Sequence, residues 1–439
     1  MGKLLLAIII FGTCCYAVLR PWLGIVAYYL LAILGPQYIW WWDFEGLRVS
    51  FFIAICTIVG AVFKLIIKEL DYSFLKTHLN LWLFILWLSI DISYFFGPYV
   101  DQFTSTGLRP DQLFSMTNNM FGFYFLAVLI ANDLKILRYL GYVFVAATLY
   151  MIYWANNQYF IQNWHQFNQG RLTGPRDVLG GAIYGDENAL AMLFVTGIPF
   201  LYYYGIELQQ RWLKYFMLFV VILGWHAVFL TGSRGGLLGL GVITVLIAIK
   251  SKKYLLVPVM LITLFVAFQW QGGDTMKQRS QYISDFEGER SAEDRLTAWK
   301  GGFNMVMAHP FTGVGLGSFI TALPKYIDSR NMVAHNTFVQ FVAESGVAAG
   351  LGYLVVVGIF FFNSKNIGAW LKNCHANQIT QLISKLNNAS SVSFAGLIAC
   401  SLFLSLNMYE IFLYLLVINN SLMTICHKST LGTLENDSN

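Results

Sequence analysis

Apolar positions in this chain run together in blocks close to the ~20 residues that a helix needs to cross a bilayer. The blocks fall at about 4–19, 24–40, 51–67, 80–96, 115–131, 138–154, 189–206, 213–231, 235–250, 254–270, 337–361, 391–406 and 411–426. Strict alternation gives thirteen spans with an outside N-terminus, and twelve if the first two blocks merge or re-enter. A β-barrel would show alternating segments of ~10 residues instead. The pattern predicts an all-α polytopic membrane protein of about twelve (12–13) transmembrane helices. It divides the chain into N-terminal helices (1–154), a first loop (155–188), central helices (189–270), a large helical loop (271–336), C-terminal helices (337–426) and a short tail (427–439).

Composition agrees, with 57% of residues hydrophobic and only 12% charged, where a soluble domain carries about 25% charge. The first block resembles a signal peptide in length. It lacks a convincing small-residue cleavage site, and further blocks follow at once, so it reads as a retained helix.

The net charge of +5 matters less than where the cations lie. Lys64, Lys68 and Lys76, then Lys135 and Arg138, Arg211 and Lys214, Lys250, Lys252 and Lys253, and Lys365, Lys372 and Lys385 all fall on one side of the alternation. The positive-inside rule makes that side the cytoplasm and the tail cytoplasmic. The opposite face carries the two long loops. The second balances seven Lys/Arg against seven acids, and long translocated loops escape the charge bias. None of the six cysteines falls in either outer loop, which argues against a disulfide framework and a cysteine zinc site.

Within the second loop, "SAEDRLTAWKGGFNMVMAHPF" spaces Leu296, Trp299, Phe303 and Val306 as a helix does, with Ser291 and Asp294 resembling a capping box and Pro310 as the stop. A glycine-punctuated turn, "FTGVGLGSF", follows. An amphipathic helix over the membrane mouth is expected.

The unusual polar groups converge on this outer face. Arg171 and Arg176 lie in "GRLTGPRDVLGG", Asp186, Glu187 and Asn188 in "YGDENALAM", Arg234 in "LTGSRGGLLGLG", Arg295 on the loop helix, and His335 with Asn336 in "MVAHNTFVQFVAESG". Asp91 and Glu410 also fall near this face. Each has a plainer reading. Arg234 could snorkel to headgroups, Arg176 and Arg295 could be solvated loop charges, Asp91 could hydrate at the interface, and Glu410 could pair with a cation. His226 reads as a packing residue, and His165 and His309 as loop residues. The ensemble suggests more than its members.

Guanidinium groups bind phosphate bidentately and stay charged at any working pH. Several together could stabilise a diphosphate as a leaving group in place of a metal; the sequence has neither Asp-x-Asp nor a His-rich cluster to hold one, so no metal and no cofactor is expected. A histidine suits proton removal from a hydroxyl near neutral pH. The set fits transfer of a group from a diphosphate-linked donor to a hydroxyl acceptor, with the spans holding a lipid tail.

Residues 170–360 resemble the O-antigen ligase and polymerase family, through "LTGSRGGLLGLG" and "RLTAWKGGFNMVMAHPFTGVGLGSF" followed by "AHNTFVQFVAESG". "VLRPWLGIVAYYLLAILGPQ" adds a weaker likeness to the bacterial putative O-glycosylation ligases of that group. The resemblance implies a fold similar to other multi-span glycosyltransferases that use polyprenyl-linked sugars. It implies metal-independent, inverting transfer of a finished glycan from undecaprenyl diphosphate to a sugar hydroxyl of lipid A–core, at the periplasmic face of the inner membrane. The partners expected are that donor, that acceptor and membrane lipids, and no nucleic acid. His335 is then the base or acceptor-positioning residue. Arg234, Arg295 and one of Arg171 and Arg176 grip the diphosphate, with Arg171 favoured by its "R-x-x-G" spacing. Asn188 and Asn336 support the site, and Glu410 is the nearest match to an acidic residue that family members carry late in the chain. The acidic group in "DENAL" departs from the family's "N-x-N-x-x-A", though Asn188 holds the final asparagine position.

Two alternatives keep this chemistry: a polymerase, whose acceptor is another lipid-linked repeat unit, and a protein O-oligosaccharide transferase. A lipid-linked glycan transporter would want polar residues near mid-membrane, and here they gather at one face.

Overall fold

The computed structural model describes residues 2–39, 49–102, 108–168, 170–175, 184–252, 262, 288–405 and 409–437. Among these, nine helices are long and apolar enough to cross a membrane. They comprise α2 with α3 (Pro21–Leu34 and Pro36–Ile39), α4 (Val49–Ile66), α5 (His78–Phe96), α6 (Pro110–Ile130), α7 (Leu134–Phe160), α8 (Glu187–Ile206), α9 (Arg211–Thr231), α13 (Thr337–Lys372) and α15 (Glu410–Asp437). Three further apolar blocks are helices that fall short in length or hydropathy: α1 (Gly2–Leu19), α10 (Arg234–Lys250) and α14 (Gln378–Ser401). The block at 254–270 lies outside the described residues, apart from residue 262.

Helix α14 starts well before the apolar block at 391–406, and polar residues along it face protein. Asn387 donates to the Ser364 carbonyl at 3.0 Å, Ser393 to the Thr196 carbonyl at 2.5 Å, and Lys250 to the Ser391 hydroxyl at 2.9 Å. Polar side chains satisfied by neighbouring helices do not need a hydropathic sequence.

Packing is inside-out relative to a soluble bundle. On α4, Phe51, Phe52, Ile55, Val62 and Phe63 are exposed, while Thr57, Gly60 and Ala61 form the protein-facing side. A Cβ at Gly60 would meet the Val18 carbonyl oxygen at 2.4 Å, so α1 and α4 touch through their backbones. Small residues at helix contacts and large apolar ones outward suit lipid as the solvent. The exception is α8, where every residue from Ala189 to Leu201 is buried. It packs against α7, α9, α10 and α14, and is the axis of the molecule.

Helix α13 is broken at Gly346, whose φ of +82° and ψ of 179° are open to glycine alone. The carbonyls freed on the N-terminal side are taken by the glycine-rich turn 309–317. Val314 N donates to Ala343 O at 2.9 Å and Gly315 N to Glu344 O at 3.0 Å, while Val347 N donates to Pro310 O at 2.8 Å. The turn thus grips the break like a clasp. Ahead of it, α11 (Gly288–Ala308) and α12 (Phe319–Tyr326) pack on the first segment of α13. Helix α11 ends before Pro310 as expected, but it begins at Gly288, so Ser291 stands inside it rather than capping it.

Candidate active site

The starts of α8, α10 and α13 are each capped by a short polar side chain. Asp186 accepts from Asn188 N and Ala189 N, Ser233 from Gly236 N, and Asn336 from Val339 N. These caps satisfy backbone donors that a helix start leaves open, each contributing about 1 kcal/mol. The caps are also tied to one another. The Ser233 hydroxyl donates to the Asn188 side chain at 2.7 Å, which joins α8 to α10 and places Arg234 at the first turn of α10.

The second tie is the segment Leu402–Leu404 at the end of α14. Asn336 donates to Leu402 O at 3.3 Å and Thr337 to Leu404 O at 2.7 Å. The Arg295 guanidinium sits over the Phe403 ring, 5.7 Å from its centroid. A Cβ on Gly235 would lie 3.2 Å from the Cβ of Phe403. One short segment therefore holds together the neighbours of Arg234, Arg295 and His335. From the other side, Trp299 donates to the carbonyl of Ala334 at 2.9 Å, fixing the residue before His335.

His335 has φ +49°, a left-handed conformation uncommon for a side-chain-bearing residue. It is half-buried, and burial is the main cause that lowers its pKa below the usual histidine value, followed by the charge of Arg295; Asp186 and Glu187 act in the opposite sense. Burial and the nearby charge of Arg234 also lower the pKa of Arg295, though a guanidinium remains protonated in water at any working pH.

Arg171 projects from a two-residue hairpin, β1 (Phe167–Asn168) with β2 (Arg171–Leu172), in which Asn168 opposes Arg171. It pairs with Glu187 at 3.0 Å. Through that carboxylate it joins the group whose charges act on His335. Arg176 lies outside the described residues. Asn188 and Asn336 serve as the braces described above.

Glu410 takes a different position. It accepts a hydrogen bond from Tyr28 and neighbours Tyr29 and Tyr184, so it faces tyrosines rather than the arginines. Tyr184 in turn accepts from Gly174 N at 2.7 Å through its carbonyl, just beyond the hairpin of Arg171. Other polar groups stay out of the cluster. Asp91 accepts from Asn118 at 3.0 Å, His226 meets Asn156 at 2.6 Å, and His309 packs edge-on against the rings of Tyr99 and Tyr326.

Asp186 and Glu187 are the charged residues that sequence reading left out of the site. The signal was there, since two carboxylates at a helix start beside arginines stand apart from the family's asparagine at that place. Phe403 carried no such signal, because it lies in an apolar stretch.

An all-α polytopic membrane protein with arginines and a histidine gathered at one end of its bundle is the class these features define. The family model described as O-antigen ligase matches residues 219–354. That match supports the O-antigen ligase family for this chain, and it spans Arg234, Arg295 and His335 while Arg171 and Glu410 lie outside it. No curated protein matches the chain.

Proposed function

We propose that this protein transfers a preassembled glycan from undecaprenyl diphosphate to a sugar hydroxyl of lipid A–core, at the periplasmic face of the inner membrane, by an inverting, metal-independent reaction. The observation that carries the reading is the meeting of Arg234, Arg295 and His335 around Leu402–Leu404, with Arg171 joined through Glu187. The acceptor oxygen attacks the anomeric carbon from the face opposite the diphosphate. Its proton passes to His335, held neutral by burial and Arg295. The bond from the anomeric carbon to the diphosphate oxygen breaks, and its electron pair leaves with the diphosphate. Arg171, Arg234 and Arg295 neutralise that charge as it develops, where an oriented cation is worth most. Arg176 is the alternative to Arg171 for that place in the grip. Asn188 and Asn336 hold the helix starts, and Glu410 steadies the wall behind the Arg171 hairpin through its tyrosines.

The test combines the purified protein in nanodiscs with undecaprenyl-diphosphate-linked glycan and lipid A–core in the presence of chelator. Glycan-bearing lipid A that disappears in His335→Ala and Arg234→Ala is the expected result. Longer lipid-linked chains from donor alone would mean that the acceptor is another repeat unit. Transfer that needs an added divalent ion would overturn the arginine grip.

A further inference from the structure

Helix α11 presents three faces. Ala298, Gly301, Gly302 and Met305 are buried against α12 and the first segment of α13. Arg295 and Trp299 look toward the active site, as their contacts with Phe403 and Ala334 show. The third face carries Leu296, Phe303 and Met307, which are 53%, 64% and 69% exposed. At 100° per residue these three fall within a narrow arc, opposite the buried face. Phe311, just beyond the helix, is 86% exposed.

This stripe runs on into the surface that faces lipid. The Pro310–Val347 hydrogen bond sets the end of α11 level with the point where α13 resumes beyond its break. From there Val347, Leu351 and Leu354 are exposed on α13. On the neighbouring α5, exposed Phe95 and Phe96 precede Gly97, whose Cβ position lies 2.3 Å from the Cα of Gly315. Exposed apolar side chains of the loop helix and of two spanning helices therefore converge at one level. Lys300 is exposed and lies in the same arc as Leu296 and Phe303. A lysine within such a stripe suits a bilayer interface, where its stem covers hydrocarbon and its amine reaches lipid phosphate.

We propose that the exposed stripe of α11 is a lipid-contacting surface, seated in the leaflet of the bilayer that the protein itself spans. The inference rests on the fold and stands whether or not the glycan-transfer reading does. Its consequence is positional: immersing the stripe fixes the depth of Arg295 and of the Trp299-anchored His335 loop relative to the headgroup layer.

The test places a photoreactive benzoylphenylalanine at position 303, 307 or 311 of the full chain, in nanodiscs of phosphatidylethanolamine and phosphatidylglycerol. The same residue at Phe52, on the lipid face of α4, serves as the positive control, and at Asp328 as the negative one. Irradiation followed by mass spectrometry is expected to find acyl-chain adducts at 303, 307 and 311 as at 52, and far fewer at 328. Adducts at 52 with none at the three α11 positions would overturn the proposal, as would adducts to a second protein copy in their place. Three separate exposed positions keep one poorly folded variant from deciding the outcome.

Discussion

The two ends of the bundle both carry cations and treat them differently. At the lysine-rich end, Lys385 meets Glu207 at 2.6 Å, Lys64 meets Glu69 at 3.5 Å, and Lys428 pairs with Asp71. Lys250 is held by Asn388 and Ser391. Each of these four lysines has a protein partner close by. At the other end, Arg234 and Arg295 have no carboxylate within ion-pair distance among the described residues, and the charge of one acts against the other. Beside them a histidine is held in a left-handed backbone conformation, and three capped helix starts are tied together. Positive helix ends and crowded guanidinium groups suit the anion of the proposed donor. On the proposed reading, Arg234 and Arg295, left facing one another, serve a ligand, with Arg171 held beside them by Glu187.

The sharpest way to break this contrast is at the histidine. His335→Gln is expected to lower glycan transfer by about 100- to 10,000-fold, the usual range for losing a general base, with the protein still eluting as a single folded species. Full turnover in that variant would reduce the arginine-bearing end to another structural cluster. Next come the arginines. Arg295→Ala and Arg234→Ala are each expected to lower the rate by about 100- to 1,000-fold, as for loss of one charge-stabilising donor. Arg295→Lys should recover part of the loss by keeping charge without the planar fork.

A third test concerns the clasp. Gly346→Ala forces a Cβ into a backbone region closed to it and toward the Phe311 carbonyl at 2.5 Å. A cost of about 1–3 kcal/mol is expected, read as a lower melting temperature in detergent together with weaker transfer.

The fourth refines the electrostatics. On the proposed mechanism His335 acts as a base when neutral, so activity should fall as pH drops through its pKa, which lies below the ordinary histidine value. Glu187→Gln removes a carboxylate that favours the protonated form, and should move the acidic limb of the pH–rate profile to lower pH. Arg295→Gln removes a charge that opposes protonation, and its residual activity should show the limb moved to higher pH. Matching shifts in the same direction would contradict the stated neighbours of His335.

The smallest effect belongs to the lysine-rich end. Lys428 and hydrogen bonds from Ser73 hold Asp71 at a pKa of about 2. A carboxylate lowered in this way adds stability above its unfolded pKa, lost as pH falls from about 4 toward 2. The pair is partly exposed, so Lys428→Gln should change unfolding stability by no more than about 1 kcal/mol and leave transfer unchanged.

Sequence alone reached the fold class because lipid imposes length and apolarity on every spanning helix, and those are visible residue by residue. It misjudged the start of α14, a helix whose Asn387 and Ser393 donate to the Ser364 and Thr196 carbonyls of other helices; such partners cannot be seen along one segment. The polar residues gathered here were legible as types. What joins them was not, since Asn336 is held by a carbonyl 66 positions away and Ser233 by a side chain 45 positions away. Glu187 shows the same limit. Its neighbours in sequence suggested a departure from the family pattern, and only its contact with Arg171 gives it a place.

The clasp at Gly346 has a consequence for how the protein is made. The turn 309–317 leaves the ribosome before the carbonyls of Ala343 and Glu344 that it holds. Its other support, the end of α5 through Tyr99 N to Val314 O at 3.1 Å, has been in place since early in synthesis. The turn therefore waits on one side for a helix already inserted and on the other for one still to come. Residues 310 to 347 close as a unit only when α13 arrives, and His335 lies inside that interval. A chain cut short before Gly346 could insert most of its helices and still lack a working histidine.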